Sequence, residues 1–279
     1  MPTAQATFAT ADLLAIANEQ MLEYVVPLVL GVREDYWTKD YDVALADGTL
    51  SYRLPYRAIM GKLREVSLLD AQSNVRNLPR VNINDLQSSN FGFWLQGDQV
   101  WLAGDSTAVT NLGVSLRLTY HLRPNQIIET SGATTVASFS ATNRTVTLTA
   151  PPAAYTGNTS WDIIRARTPF DTLSHDEAGT LSGSTITFAG SLPADLAAGD
   201  YVTLTEQTPV PQIPVELHGL LAQKCAIKVL EAKQMFDKLK AAGEELGRLE
   251  RDARSVLSPR VDGEALRIVN RASLYRNRW

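Results

Sequence analysis

The sequence predicts an α+β protein: helices from its N- and C-terminal parts form one unit, and a mostly antiparallel β region, a small sandwich or barrel, is inserted between them. An extended C-terminal arm completes the expectation. Three observations carry it. Apolar residues recur at steps of three and four over 10–31 and again over 215–257; the residues between them alternate with a period of two; and residues 258–279 carry arginines but little that builds a core. The expected organisation is a helix plus β-hairpin region (1–125), a Thr-rich β domain (126–211), a long amphipathic helix or helical hairpin (212–257) and the arm (258–279).

The first helix is expected to start at Thr10 as N-cap, with Asp12 in its first turn, and to stop at Gly31 after a kink at Pro27. Leu13, Ile16, Ala17, Met21, Tyr24 and Val25 form its apolar stripe. In "DVALADGTLSYRL" two strand-like runs flank Asp47-Gly48, the dipeptide that most strongly favours a two-residue hairpin. "AIMGKLREVSLLD" reads as strand, and "NFGFWLQGDQVWLAG" as a second hairpin turning at Gly97-Asp98. "VSLRLTYHLRP" sets Val114, Leu116, Leu118 and Tyr120 against Ser115, Arg117, Thr119 and His121, a half-buried strand stopped by Pro124. Seventeen threonines fall between 130 and 208, in runs such as "TVTLTA", "WDIIRAR", "STITFAG" and "DYVTLTE" separated by Gly/Pro-rich turns. "TPVPQIP" is a stiff linker that cannot continue a ladder. After it, an unbroken helix over 215–257 would be about 65 Å long at about 1.5 Å per residue, and a break near "AKQMFD" would fold it into a hairpin.

Composition narrows the function. Net charge is −4, so the molecule is no general nucleic-acid binder, but the charge is uneven. Eight arginines against four acids make residues 248–279 +4, which leaves −8 for residues 1–247. A basic end on an acidic body suits contact with a different surface, a second copy included. Cys225, the only cysteine, excludes an intrachain disulfide and a Cys-based metal site, and its setting "AQKCAIKVL" predicts an inert buried thiol. The opening residues lack a basic start, and the apolar run "VVPLVLGV" is too short to span a bilayer, so no membrane is expected.

Chemistry is sparse. His121, His175 and His218 have no zinc-site spacing. "SHDE" (174–177) reads as a polar loop, because adjacent loop residues rarely face one another as nucleophile, base and orienter. No phosphate loop, dinucleotide fingerprint, nucleophile elbow or HExxH occurs. Phe91, Phe93, Trp94 and Trp101 read as hairpin packing rather than an RNA-binding face, and nothing marks Glu129, Glu177 or Glu206 as a general acid. The expectation is a protein of contact surfaces, not an enzyme, with no cofactor and no metal.

The strings "PQIPVELHGLLAQKCAIKVLEA" and "LERDARSVLSPRVDGEALRIVNR" resemble the C-terminal region of adaptor proteins from the head-to-tail connector of tailed bacteriophages. "EQMLEYVVPLVLGVREDYWTKDYDVAL", "YRLPYRAIMGKLREVSLLD" and "GDQVWLAGDSTAVTNLGVSLRLTYHLRPNQII" are similar to the same group, so the likeness spans most of the chain. It departs at 233–237, where "KQMFD" stands in place of a glycine turn between two helices. The resemblance implies a homo-oligomeric ring, a dodecamer, seated under the portal protein in the neck of the virion. The ring would extend the DNA channel, pass packaged DNA without specific recognition, and dock the tail or nozzle protein. It also implies that the arm binds the portal or a neighbour. The residues suited to that contact are Pro259, Arg260, Arg267, Ile268, Val269, Asn270, Arg271, Leu274, Tyr275, Arg276, Arg278 and Trp279, since aromatic and arginine side chains dominate interface energy. The alternative is a carbohydrate-binding or host-attachment module of a phage tail, stacking sugars on Tyr155, Trp161 and Tyr201.

Overall fold

The computed structural model of the chain describes residues 8–83, 91–104 and 113–258. Its first element is a helical rod in three pieces: α1 (Thr10–Gln20), a π-helical turn (Met21–Val25) and α2 (Val26–Val32). Ala9, not Thr10, is the N-cap, and the Asp12 carboxylate accepts its N–H at 3.1 Å. Pro27 does not end the rod. A proline ring clashes with the carbonyl four residues back. Widening the preceding turn relieves this, and the Val26 N–H reaches the Met21 carbonyl, five residues back. The rod runs past Gly31 to Val32. Thr10–Val32 is thus long and apolar enough to cross a bilayer by length and composition, which the run "VVPLVLGV" alone did not suggest. Here one face of it, Met21, Val25, Val26 and Val29, is buried in the helical core.

Among the described residues seven strands follow: β1 (Thr38–Ala44), β2 (Ser51–Arg53), β3 (Ala58–Leu69), β4 (Val75–Asn77), β5 (Gly92–Gln96), β6 (Gln99–Ala103) and β7 (Ser115–Leu122). They make two sheets, β1-β7-β3-β4 and β2-β6-β5, which share a core of Tyr52, Val66, Leu68, Phe93, Val100, Leu102, Leu116 and Leu118. The expected hairpin at Asp47-Gly48 does not form. The turn exists, with Thr49 N–H on the Ala46 carbonyl at 3.1 Å and Gly48 at φ +78°, but it passes the chain from one sheet to the other. β1 gains a seven-residue register with β7, and β2 carries Tyr52 into the core from the opposite side. Turn chemistry is local, whereas the choice of partner strand is tertiary. The second hairpin forms as expected: Gln96 faces Gln99 across Gly97, at φ +62°. In β7 the inner residues Leu116, Leu118 and Tyr120 are fully buried, but His121 is buried too, and Val114, expected on the inner face, lies just before the strand and is exposed.

β8 (Gln126–Ile127) leads into a closed six-stranded barrel of β9 (Thr134–Ser140), β10 (Thr145–Leu148), β11 (Asn158–Ile164), β12 (Thr172–Ser182), β13 (Thr185–Phe188) and β14 (Tyr201–Leu204), in the order β10-β13-β12-β11-β14-β9. Closure leaves no free sheet edge, the usual weakness of a small β domain. Trp161, Ile163, Val146, Ile186 and Val202 fill the interior. Gly179 is required there: a Cβ would lie 2.8 Å from Ile186 Cγ2 and 3.0 Å from Trp161 Cδ1. The chain leaves by β15 (Gln207–Thr208), which pairs in parallel with β8.

Beyond a 3₁₀ turn (Val215–Leu217) come α3 (His218–Ala232) and α4 (Phe236–Leu257), a helical hairpin rather than one rod. The break falls in "AKQMFD". Gln234 takes the left-handed position at φ +57°, its N–H meets the Glu231 carbonyl, and the Met235 N–H meets the Leu230 carbonyl, each at 3.0 Å. This is the Schellman arrangement, built on glutamine where glycine is the common occupant. Leu217, Leu220, Leu221, Ala253 and Leu257 pack with the buried face of the first rod, with Trp37 and Ile213 closing the same core. Cys225 is half-buried rather than buried, and burial pushes its thiol up.

Candidate functional site

Strand β11 alternates as a barrel strand must: Trp161 and Ile163 point inward, so Asp162 points out, toward the two-sheet body. There it meets Arg57, which sits just before β3 in the segment Pro55-Tyr56-Arg57. One guanidinium nitrogen, Nη1, donates to both Asp162 oxygens at 2.9 and 3.1 Å, with Arg57 1% and Asp162 0% exposed. Asp162 also accepts from Asn125 Nδ2 at 2.6 Å and from the backbone N–H groups of Asp176 at 2.9 Å and Glu206 at 3.0 Å. Arg57 Nη2 donates to Asn125 Oδ1. Burial pushes the Asp162 carboxyl up, against the pull of Arg57 and the amide donors. A buried charge needs such a set of partners to be tolerated at all.

Gln212 extends the network to the helices. Its side chain accepts the Asn125 N–H and donates to Thr172 Oγ1, both at 2.8 Å, while its carbonyl accepts Trp37 Nε1 at 2.9 Å. Three parts of the molecule are therefore joined through one polar knot.

Beside the knot lies an open cleft of about 740 Å³, lined by Tyr41, Tyr56, Tyr120, His175, Asp176 and Glu177 among others. Its floor is the "SHDE" segment. These residues form no loop; they lie within β12, at a bulge where the register with β11 jumps from Trp161–Glu177 to Ile163–Ser174. Asp176, at φ +57°, absorbs the extra residue. Tyr56 Oη donates to Asp176 Oδ1 at 2.5 Å, Tyr120 Oη shares a hydrogen with His175 Nε2 at 3.0 Å, and Ser174 Oγ donates to Glu177 Oε1 at 2.7 Å. Serine and histidine thus have separate partners, and no nucleophile–base pair exists among them. Burial first, and Arg57 next, hold the His175 imidazole below its ordinary range. Burial pushes the Tyr120 hydroxyl up to about 12.

The other candidates fall as follows. Trp161 and Tyr155 are buried in the barrel, 4.9 Å apart edge to face, so neither can stack on a sugar; Tyr201 is partly buried in β14. Trp94 and Trp101 stack on each other at 5.9 Å across the β5–β6 hairpin. His218 stacks on Phe170, and His121 is buried at the end of β7. Among the described residues no group of His, Cys, Asp and Glu could hold a metal ion. On the helical layer Leu13, Val215, Phe236 and Val256 remain exposed, Phe236 at 70% beside the hairpin turn. The arm residues, Pro259 through Trp279, lie outside the described residues. No protein-family model matches the chain, and no curated protein matches it.

Proposed function

We propose that the protein is a structural subunit of a tailed-phage neck: an adaptor that forms a ring under the portal, extends the DNA channel and docks the tail. The observation that carries this reading is the helical layer. Its hairpin is held to its last turn, with Ala253 and Leu257 buried in the helical core, so the arm departs from a fixed origin. The same layer leaves Leu13, Val215, Phe236 and Val256 uncovered, apolar side chains suited to packing between copies side by side. The outer face of α4 is charged, with Arg248 held between Glu245 and Asp252. The arm carries five arginines with Tyr275 and Trp279, the residue types that anchor interfaces.

Mass photometry of the purified chain, alone and mixed with portal protein, tests the reading. The expected result is a monomer alone and a defined stoichiometric complex on mixing. Removal of residues 258–279 is expected to abolish portal binding while leaving the far-UV spectrum unchanged. A mixture that never rises above the two separate masses overturns the proposal.

A further inference from the structure

Around the cleft, the charges cancel in pairs except at one place. Arg53 is matched by Asp98 at 3.1 Å, and Arg57 is matched by Asp162 at 2.9 Å. His175, held below its ordinary range, is neutral at pH 7. Asp176 and Glu177 are left under-matched: Asp176 accepts the Tyr56 hydroxyl and shares Arg57 with Asp162 at 3.5 Å, and Glu177 accepts a serine hydroxyl at Oε1 and has no ion pair among the described residues. Two carboxylates thus face a space walled by tyrosine rings, of which Tyr41 is 45% and Tyr56 63% exposed. A flat, weakly hydrated cation fits that combination: carboxylates take its N–H groups and the rings take its face.

We infer that this cleft is the receptor for an arginine-bearing stretch of residues 259–279 from a second copy of the chain, an assignment that rests on the ring reading above. Charge complementarity selects this occupant. Residues 259–279 hold five arginines (260, 267, 271, 276, 278) against Asp262 and Glu264, a net +3, and the cleft offers two carboxylates: Asp176, which shares Arg57 with Asp162, and Glu177, which has no ion pair among the described residues. Twenty-one residues would span about 70 Å if fully extended, at about 3.3 Å each, which sets the upper limit on the distance to a neighbouring cleft. The strained bulge at Asp176 then has a use: it turns the side chains of an otherwise regular strand toward the incoming segment.

The test uses a fluorescent synthetic peptide of residues 259–279 and the full-length protein, read by anisotropy. Saturable binding is expected, too weak to hold two free copies together at the dilution of mass photometry, and weakened roughly 10-fold or more by Asp176→Asn with Glu177→Gln, the loss of charge-assisted hydrogen bonds. Tyr41→Ala, at an exposed ring where folding is not at stake, is expected to weaken it about 3-fold through the lost cation–π contact. No binding, equal binding by the variants, or equal binding of a scrambled peptide of the same composition each overturns the inference. Portal binding by the same samples is read separately. Its loss with peptide binding intact overturns the adaptor reading alone, and the converse overturns the cleft assignment alone.

Discussion

Arg57 and Asp162 meet with no water-exposed surface between them, one at the foot of β3 and the other on the outer side of the barrel strand β11. The two residues are 105 positions apart, and the hydrogen bonds that surround them come from Asn125, Asp176 and Glu206. The pair therefore fixes how the barrel sits on the body. Packing alone would hold the two together, but a buried, many-armed ion pair admits one orientation.

Asp162→Asn keeps the shape and removes the charge, leaving the buried Arg57 guanidinium with only the longer 3.5 Å contact to Asp176 as counter-charge among the described residues. The expected loss is about 3–5 kcal/mol of unfolding free energy. Urea denaturation monitored by tryptophan fluorescence measures it, and a loss below about 1 kcal/mol would contradict a desolvated pair.

Gln234→Gly should stabilise the α3–α4 hairpin. A non-glycine residue at φ +57° costs about 1 kcal/mol relative to glycine, so a gain of about 0.5–1 kcal/mol is expected. Gln234→Val, with a branched Cβ, should destabilise by a similar amount or more. Thermal melts by circular dichroism at 222 nm would rank the three, and any other order speaks against the left-handed turn.

Gly179→Ala should destabilise the barrel by about 1–3 kcal/mol, because the added methyl has only Ile186 and Trp161 to push against. A change in the indole emission of Trp161 should accompany it. Gly183→Ala, in the open β12–β13 turn at φ +61°, tests strain without crowding and should leave that emission alone.

Stability should fall as pH drops from about 7 to 5. His175 and His121 are both held below their ordinary range, chiefly by burial. The unfolded chain therefore takes up their protons first, near pH 6.5, and stability is full above that value and declines below it. Each site adds a slope of at most about 1.4 kcal/mol per pH unit. His175→Gln should flatten the decline of the urea midpoint between pH 7 and 5, and an unchanged slope would show that His175 does not titrate in this window.

The elements with a strong local pattern were legible in the sequence. Leu116, Leu118 and Tyr120 declared their strand by alternation, although Val114 and His121 fall on the opposite sides from those expected; Gly97-Asp98 declared its hairpin, and the threonine-rich runs a small sandwich or barrel, of which the barrel forms. Partner choice was not legible. Asp47-Gly48 makes its turn, yet the strands beside it go to different sheets, since Tyr52 finds its core only from the opposite side. Pro27 signalled a kink near the helix end, and the ring is accommodated by a π turn before it, with the helix running on to Val32. The hairpin turn lacked its usual glycine, and backbone hydrogen bonds to Leu230 and Glu231 carried Gln234 into place. "SHDE" read as a loop because a bulge inside a strand leaves no pattern of period two. The polar knot was the largest omission. Its one local trace is an aspartate in the apolar run "WDII", and nothing near it in sequence points to Arg57 or Gln212.

The parallel β8–β15 pair has a further consequence. Because Gln126 and Gln207 stand abreast, everything from 128 to 206 is a cassette hung from a single doorway. A genome could lose or exchange it with little rerouting of the remaining backbone, at one stated cost. The recipient body would also have to change residue 57, whose charge is answered by Asp162 and Asp176, both of which travel with the cassette.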